Sequence, residues 1–423
     1  MKTIIKNGRL INPATNMDQA AEILIEDGVV TKIDSLINDT ADEIIDAKNC
    51  WVVPGLIDIH VHLREPGYEY KETIETGTKS AAKGGFTTVC PMPNTNPVTD
   101  NEIVVEYIKL KASREGSVHV LPIGAITKGQ KGEELANIGK MKEAGICAIS
   151  EDGRSVLNAG LLKKAMTYAK MFDLPVLSHC EDDSLAGGSM NAGDAATILG
   201  MKGIPDEAEE LIVARDIILA QKTGVKLHIC HVSTVGSAEI IRQAKKTKMS
   251  LTAEVTPHHF ALTEQAVQIH DANTKMNPPL RTQKDVEAMK QALKDGTIDI
   301  IATDHAPHHL DEKNCEYDKA ANGILGFETA LCLSITELVE TGVLSPMQLI
   351  EKMSYNPAKL MGIDKGSIEE GKMADITIID PNKEYSVDVN SFVSKSKNSP
   401  FQGRKVKGLV KYTIVNGEIK YKA

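Results

Sequence analysis

Two histidines separated by one residue, His60 and His62, are the residues of this chain that could most clearly do chemistry. They end an apolar run that begins at Trp51, and this run predicts a buried strand. Side chains two positions apart lie on the same face of a strand, so both imidazoles point the same way. With Asp58 before them and Arg64 after them, the pair predicts a metal site beside an anion receptor. The alternative is a pair of solvent-facing histidines.

Three more potential metal ligands follow other strand-like runs: His179, His231 and Asp304. A single histidine at a strand end is usually an exposed polar residue, but several strand ends can meet at one mouth of a barrel. A carboxylate at Asp304 could bind a metal and accept a proton from water whose pKa the metal has lowered. Its alternative is an ordinary cap or turn aspartate. His228, three residues before His231, is predicted to face the other side of its strand and to pack against helices.

Glu151 and Asp152 follow a further strand-like run, and either carboxylate could bridge two metal ions. Adjacent residues of a strand face opposite ways, so we expect one of the two to enter the site. Their position in the sequence does not decide which one.

These residues need a framework that brings many strand ends together. Eight apolar strand-like runs alternate with helix-length amphipathic segments such as 159–172 and 207–223. The alternation favours a parallel sheet, and eight strands close a (β/α)8 TIM-type barrel. A doubly wound open sheet is the alternative. The runs are 52–62, 86–91, 118–126, 146–150, 175–179, 226–231, 249–255 and 298–303.

Both ends of the chain alternate like short strands joined by tight turns, as at Asn416–Gly417. We therefore predict an α/β fold in which the two termini form one small flanking β-sandwich domain. Its predicted bounds are residues 1–52 and 366–423, and the metal-binding barrel is predicted over 53–365. The basic, polar segment 395–407 is predicted to be a surface loop.

The composition excludes several classes of protein. The formal net charge is −10 and aromatic residues make up 4% of the chain, which argues against nucleic acid or an anionic membrane as a partner. No apolar stretch is long enough to span a bilayer, and the N-terminus lacks the apolar region of a signal peptide. The seven cysteines are odd in number and include no Cys-x-x-Cys, which is typical of buried thiols in a reducing compartment. We therefore expect a cytoplasmic protein.

Five segments, taken in order, are similar to the signatures of the class I dihydroorotases in the amidohydrolase superfamily. They are 58–67 (DIHVHLREPG), 91–95 (PMPNT), 231–234 (HVST), 276–281 (MNPPLR) and 303–308 (TDHAPH). The similarity extends along the whole chain and resembles the bacterial monofunctional type. It implies a distorted (β/α)8 barrel with a flanking β domain.

The resemblance also implies a metal centre that holds one or two zinc ions. Its ligands are then four histidines and two aspartates: His60, His62, Asp152, His179, His231 and Asp304. Many relatives use a carboxylated lysine to bridge the metals, but 145–153 contains no lysine, and Asp152 matches the aspartate of the bacterial branch. That branch commonly has aspartate where this chain has Glu151, so the bridging carboxylate stays undecided.

The same resemblance implies a set of substrate-binding residues: His62, Arg64, Asn94, Asn277, His308, Asn322 and Gly323. Arg64, with help from Asn94, is expected to bind a substrate carboxylate. The guanidinium suits this role because it is planar, always charged and able to donate two parallel hydrogen bonds. Without the family, the alternative for Arg64 is a surface salt bridge. The backbone at Asn322 is expected to read the pyrimidine ring, although the family often has an aromatic residue at that position.

The function that the resemblance implies is reversible hydrolysis of L-dihydroorotate to N-carbamoyl-L-aspartate, which runs toward ring closure in pyrimidine biosynthesis. Hydroxide on the metal would attack the ring carbonyl, and Asp304 would shuttle the proton. One alternative is another cyclic amidohydrolase: a hydantoinase, dihydropyrimidinase or allantoinase, which typically has the bridging lysine. Another is a non-catalytic barrel that acts as a scaffold for aspartate carbamoyltransferase. The sequence leaves open the oligomeric state and whether such a partner exists, and a homodimer is compatible with the family.

Overall fold

The computed structural model describes residues 1–267 and 271–423. Its largest unit is a ring of parallel strands that pair in chain order, and a parallel bridge between Val61 and His305 closes the ring. This is a (β/α)8 barrel, as predicted. The barrel strands are Leu56–Val61, Phe86–Pro91, His119–Val120 with Ile123–Ala125, Ala148–Ser150, Val176–Ser178, Leu227–Ile229, Leu251–Val255 and Ile300–Ile301.

Helices follow most of these strands and pack on the outside of the barrel. In the helix Ala159–Met171, the buried residues Leu162, Ala165, Met166 and Ala169 recur at the spacing of one helix face and join the main core. The other α-helices in the described residues are Ile74–Lys83, Glu102–Glu115, Ile138–Ala144, Asp194–Leu199, Glu207–Thr223, Val235–Lys245, Pro257–Ala261, Gln283–Lys294, Leu310–Lys313, Phe327–Ser334, Pro346–Ile350 and Asn356–Met361.

The two termini form one eight-stranded sheet beside the barrel. Strand Trp51–Pro54 lies inside this sheet, where it pairs with Lys2–Asn12 and with Ile376–Ser386. The flanking β domain built from both ends of the chain is thereby confirmed. Its exact bounds at 52 and 366 stay a prediction, and Trp51–Pro54 spans the first of them. The sandwich arrangement also stays a prediction, because the strands pair into a single sheet. The other strands of the sheet are Met17–Glu26, Val29–Asp34, Glu43–Asp46, Lys405–Val415 and Glu418–Lys422.

The predicted single run 52–62 is two strands, because the chain passes from the terminal sheet to the barrel at Gly55. A Cβ at Gly55 would lie 2.1 Å from the Thr87 hydroxyl oxygen. A residue without a side chain lets the backbone pass close to Thr87 at this point. The second strand, Leu56–Val61, then carries His60 to the mouth of the barrel.

The prediction of a surface loop over 395–407 is wrong for the first part of that segment. Ser394, Ser396, Asn398 and Ser399 are buried. We call residues 394–399 the C-terminal strap, because they cross from the flanking β domain to the loops at the barrel mouth. Among the residues that the structure describes, no helix is both long and apolar enough to cross a membrane.

Candidate active site

Four imidazoles and two carboxylates come together in one buried cluster at the ends of the barrel strands. Asp152 lies at the centre of this cluster. Its carboxylate oxygens lie 3.1 Å from His60 Nε2, 3.5 Å from His62 Nε2, 3.7 Å from His179 Nδ1 and 3.9 Å from His231 Nε2. A single carboxylate therefore faces histidines from three different strand ends, which is the position a bridging ligand requires.

Asp304 lies beside the same histidines. Its Oδ1 is 3.0 Å from His62 Nε2 and 3.6 Å from His60 Nε2. The backbone of Asp304 has a φ of +48°, a conformation that is uncommon for residues other than glycine and often found at functional sites. Burial alone would raise the pKa of this carboxyl, but the neighbouring imidazoles of His60 and His62 outweigh burial and hold the pKa below its ordinary value. Asp304 is therefore ionised.

Hydrogen bonds behind the cluster fix which ring nitrogen of two histidines faces it. His60 Nδ1 lies 2.5 Å from Glu254 Oε1, and His62 Nδ1 lies 2.9 Å from Asn94 Oδ1. In each pair Nδ1–H donates to the oxygen, so Nε2 is the ring nitrogen that faces the cluster. The structure thus places Asn94, a predicted substrate residue, behind His62.

Glu254 is a shared anchor for more than one strand end. Besides His60, it accepts a hydrogen bond from the backbone N–H of His231 at 3.2 Å, and its Oε2 lies 3.0 Å from His228 Nε2. His228 Nδ1 in turn lies 2.8 Å from the Thr252 hydroxyl. The prediction that His228 packs against helices is therefore wrong, because its imidazole contacts polar groups of the adjacent strand.

The cluster fits a divalent metal ion. His60 Nε2 and Asp152 Oδ1 are both buried, and neither atom has a hydrogen-bond partner within the described part of the chain, although they lie 3.1 Å apart. Buried polar atoms normally have partners, so two unpaired ligand atoms side by side are suited to holding a cation. Three sets of ligand atoms lie within 4.8 Å of one another, and all include His60: one adds Asp152 and His231, another adds His62 and Asp304, and the third adds Cys230 and Glu254. Imidazole nitrogens and carboxylate oxygens are the ligands that zinc accepts in proteins.

Asp152 faces the cluster, whereas Glu151 does not. The Glu151 carboxylate accepts the backbone N–H groups of Ile126 at 3.1 Å and Thr127 at 3.0 Å, and it also binds the Thr127 hydroxyl. These contacts join the ends of two neighbouring barrel strands. The geometry therefore favours Asp152 in the choice that the sequence left open.

Arg64 is buried two residues after His62, with a left-handed φ of +62°. Its Nε donates to the Pro307 carbonyl at 3.0 Å, and its Nη2 lies 3.2 Å from His308 Nε2. Within residues 1–267 and 271–423, no aspartate or glutamate forms an ion pair with this guanidinium. A buried charge without a counter-ion is unfavourable, so the position is suited to an anionic ligand.

His308 lies between Arg64 and the next loop. Its Nε2 lies 2.8 Å from the Asn322 carbonyl, which makes this nitrogen a donor to that oxygen. Burial and the adjacent Arg64 lower the pKa of His308 to about 2, so the imidazole is neutral. Gly323 follows with a φ of +126°, and a Cβ there would lie 2.6 Å from Ala306 Cβ. Only glycine suits this close approach of two backbones.

Asn277 lies next to the metal-ligand cluster, near His179. Its Nδ2 donates to Glu181 Oε2 at 2.9 Å, and the same carboxylate oxygen lies 3.5 Å from His179 Nε2. The Asn277 Oδ1 atom is buried and has no hydrogen-bond partner among the described residues. A ligand with an N–H group would give this oxygen a partner.

Sequence reasoning missed three polar residues that support the site: Glu181, Glu254 and Asn398. Glu254 had a readable signal, because a carboxylate inside an apolar strand is rarely buried without a partner. Glu181 and Asn398 lie in irregular segments without hydrophobic periodicity, so no pattern distinguished them from exposed loop residues.

Comparison with known proteins agrees with this geometry. A family model described as dihydro-orotase-like matches residues 50–237. The dihydroorotase of Acetivibrio thermocellus is 57% identical over 98% of this chain and 98% of the relative. That of Ruminiclostridium cellulolyticum is 55% identical over 99% of this chain and 98% of the relative.

Solved structures resemble the chain over its full length. An L-hydantoinase (dihydropyrimidinase) from Arthrobacter aurescens has a TM-score of 0.89 at 29% identity, covering 99% of this chain and 95% of that chain. A dihydropyrimidinase from Brevibacillus agri has a TM-score of 0.87 at 25% identity, with the same coverage. The fold is thus shared with hydantoinases and does not by itself identify the family. The high sequence identity over the full length does identify it, and this chain belongs to the dihydroorotases.

Proposed function

We propose that this chain catalyses the reversible hydrolysis of L-dihydroorotate to N-carbamoyl-L-aspartate, and so closes the ring in pyrimidine biosynthesis. One observation carries the proposal: Arg64 is a buried guanidinium without a carboxylate partner among the described residues, and it lies two residues from the cluster histidine His62. A ring amide placed at the cluster and a carboxylate placed at Arg64 satisfy both halves of the site. Dihydroorotate carries both groups.

The protein's own groups provide binding and proton transfer. Arg64 can hold the substrate carboxylate with charge-assisted hydrogen bonds, while the Asn277 Oδ1 can accept a ring N–H. A divalent metal at the cluster would supply Lewis-acid polarisation of the ring carbonyl and activation of water. The Asp304 carboxylate accepts the proton of the attacking water and returns it to the ring nitrogen as the C–N bond breaks. The products of this step are a new carboxylate and a carbamoyl group.

We infer that the metal is zinc, with one or two ions per chain. The support is the donor set of four imidazoles and the carboxylates of Asp152 and Asp304. Metal analysis of the purified protein should find zinc at up to two equivalents, and chelation should remove activity. Protons compete with metal for imidazole nitrogens, so zinc retention should fall as the pH is lowered. Full metal content after His179→Ala would contradict the ligand set.

The second candidate is a hydantoinase or dihydropyrimidinase, which the solved structures of that kind favour. Such an enzyme acts on a cyclic amide, and its substrate need not carry a carboxylate. If the chain were such an enzyme, the buried Arg64 would have no role in binding unless the substrate carried an anionic group. A non-catalytic scaffold is a weaker alternative, because all the expected ligand residues are present and lie together.

The test compares turnover of dihydroorotate, carbamoyl-aspartate and dihydrouracil by the purified enzyme, before and after chelation and zinc return. We expect dihydroorotate to be cleaved and carbamoyl-aspartate to be cyclised, with dihydrouracil turned over at least about 10²-fold less efficiently, since an unpaired buried charge disfavours the uncharged ring. Dihydrouracil as the better substrate would replace our proposal with the second candidate.

The family resemblance also supports expectations about the oligomeric state, the location and a protein partner. We infer a homodimer, a cytoplasmic location, and an aspartate carbamoyltransferase as a candidate partner. Analytical ultracentrifugation of the chain alone and with that transferase would test the homodimer and the partner.

We also propose the barrel over 53–365 as the catalytic domain, with the two terminal segments, 1–52 and 366–423, as its flanking domain.

A further inference from the structure

The C-terminal strap, residues 394–399, is bound to the loop that follows Arg64. Ser394 Oγ binds the Glu72 carboxylate, and the backbone N–H of Lys395 donates to Glu72 Oε1 at 3.2 Å. Ser396 Oγ donates to the Lys71 carbonyl at 2.7 Å. Glu72 is completely buried, so this attachment is an internal one and not a surface contact.

Asn398 extends the strap to two further segments of the barrel mouth. Its Nδ2 donates to the carbonyls of Ala306 at 2.9 Å and Gly323 at 3.1 Å. Its Oδ1 accepts the backbone N–H of His308 at 3.1 Å, and its own carbonyl accepts the Leu325 N–H at 2.9 Å. A 4% exposed side chain thus uses every hydrogen-bonding atom of its amide on backbone groups.

These contacts bring together three segments that carry predicted substrate-binding residues, and we call Arg64, His308, Asn322 and Gly323 together the carboxylate pocket. The first carries Arg64, the second carries His308, and the third carries Asn322 and Gly323. Arg64 itself contacts the second segment through the Pro307 carbonyl. Loops have no sheet register to fix their spacing, so the distance between these segments depends on such cross-links.

We propose that Asn398 is a positioning residue for substrate recognition, which holds the His308 and Gly323 backbones at the spacing that a ligand carboxylate and ring require. The inference rests on the proposed function, because it assigns to these segments the binding of dihydroorotate. It makes the flanking β domain part of the active site, since the strap belongs to the chain between strands Ile376–Ser386 and Lys405–Val415. Asn398 touches no residue of the metal-ligand cluster in these contacts, so metal binding should not depend on it.

Asn398→Asp is the sharpest test, because it keeps the shape and the acceptor for the His308 N–H but removes both N–H donors. The two carbonyls then face a carboxylate, and the segments should separate. We expect the KM for dihydroorotate to rise by roughly 10-fold to 100-fold, the scale of losing two buried hydrogen bonds. The kcat should change by less than about threefold, and zinc content should stay unchanged.

The matched control is Asn390→Asp, the same chemical change at an exposed position eight residues earlier in the chain. Its KM, kcat and zinc content should equal those of the wild type. A purely structural role for Asn398 would lower the melting temperature and the fraction of active enzyme while the KM stayed at the wild-type value. The KM therefore separates positioning from general stability.

If Asn398→Asp does not fold, Ser396→Ala is a milder substitution. It removes a single hydrogen bond of the strap, the one to the Lys71 carbonyl. Its KM should rise by about twofold to fivefold, the effect of one hydrogen bond. An unchanged KM in the folded variant overturns the inference, whichever of the two is measured. Wild-type enzyme that fails to turn over dihydroorotate overturns the proposed function and this inference together, whereas an active wild type with an unaltered variant overturns the inference alone.

Discussion

The metal-ligand cluster and the carboxylate pocket lie side by side, but they are built from different kinds of structure. The cluster ligands lie at the ends of barrel strands or within three residues after them, so the register of the parallel strands largely sets their spacing. The carboxylate pocket consists of loops, and a strap from a distant part of the chain links them through Asn398. The cluster therefore inherits its geometry from the barrel, while the pocket depends on individual hydrogen bonds.

This difference predicts different consequences of mutation in the two regions. Changes in the cluster should alter metal content or kcat, because each ligand has a fixed role in the chemistry. Changes in the carboxylate pocket should alter the KM and the choice of substrate, because they move the binding groups and leave the cluster in place.

The largest effect is expected at Asp304. Asp304→Asn removes the proton acceptor beside His62, so kcat for dihydroorotate should fall by roughly 10²-fold or more, the scale of general acid–base catalysis. Steady-state kinetics and zinc analysis should be done together, since Asp304 is also a predicted ligand. Asp183→Asn, at an exposed position, is the control. A kcat near the wild-type value with normal zinc content would remove Asp304 from its assigned role.

The next effect is expected at Glu254, which orients His60 from behind. Glu254→Gln keeps the size of the side chain but removes the charge that holds the His60 and His228 imidazoles. Zinc affinity should fall by about 10-fold to 100-fold, as for other partners of ligand histidines. Competition with a chelator measures this directly on the protein, without any assay of activity. Equal affinities in Glu254→Gln and in the exposed control Glu133→Gln would show that Glu254 does not orient the ligand.

The smallest effect separates the two adjacent carboxylates. Glu151→Gln weakens the contacts to Ile126 and Thr127, so the protein should lose about 1–3 kcal/mol of unfolding free energy and keep its zinc. Asp152→Asn should instead lose zinc. Thermal or denaturant unfolding and metal analysis of both variants provide the comparison. The opposite pattern, with zinc lost from Glu151→Gln alone, would exchange the roles of the two residues.

Much of the cluster could be predicted from the sequence, because a strand imposes a two-residue period and parallel strands end at one edge. His60 and His62 follow from this rule, and so do the positions of His179 and His231. The same rule was insufficient at 151 and 152, where it predicted that one residue enters the site but not which. It also misplaced His228, because the polar partner Glu254 lies on the neighbouring strand, and a single-strand pattern cannot reveal such a contact.

The carboxylate pocket was less predictable for a physical reason. Asn398 is polar and lies among lysines and serines, a composition typical of exposed loops. Its burial results from contacts with Ala306, His308 and Gly323, which are far from it in sequence. Only the family resemblance indicated Asn277 and Asn322, since neither lies in a periodic segment.

The central claim is that Arg64 selects a substrate that carries a carboxylate. The most direct measurement is kcat/KM for dihydroorotate and for dihydrouracil with the wild type, Arg64→Met, and the exposed control Arg114→Met. We predict that Arg64→Met lowers kcat/KM for dihydroorotate by roughly 10-fold to 100-fold, since a charge-assisted contact contributes about 1.5–3 kcal/mol, and leaves the poor turnover of dihydrouracil no worse. Unchanged dihydroorotate turnover in Arg64→Met, or an equal loss for both compounds, would contradict the account.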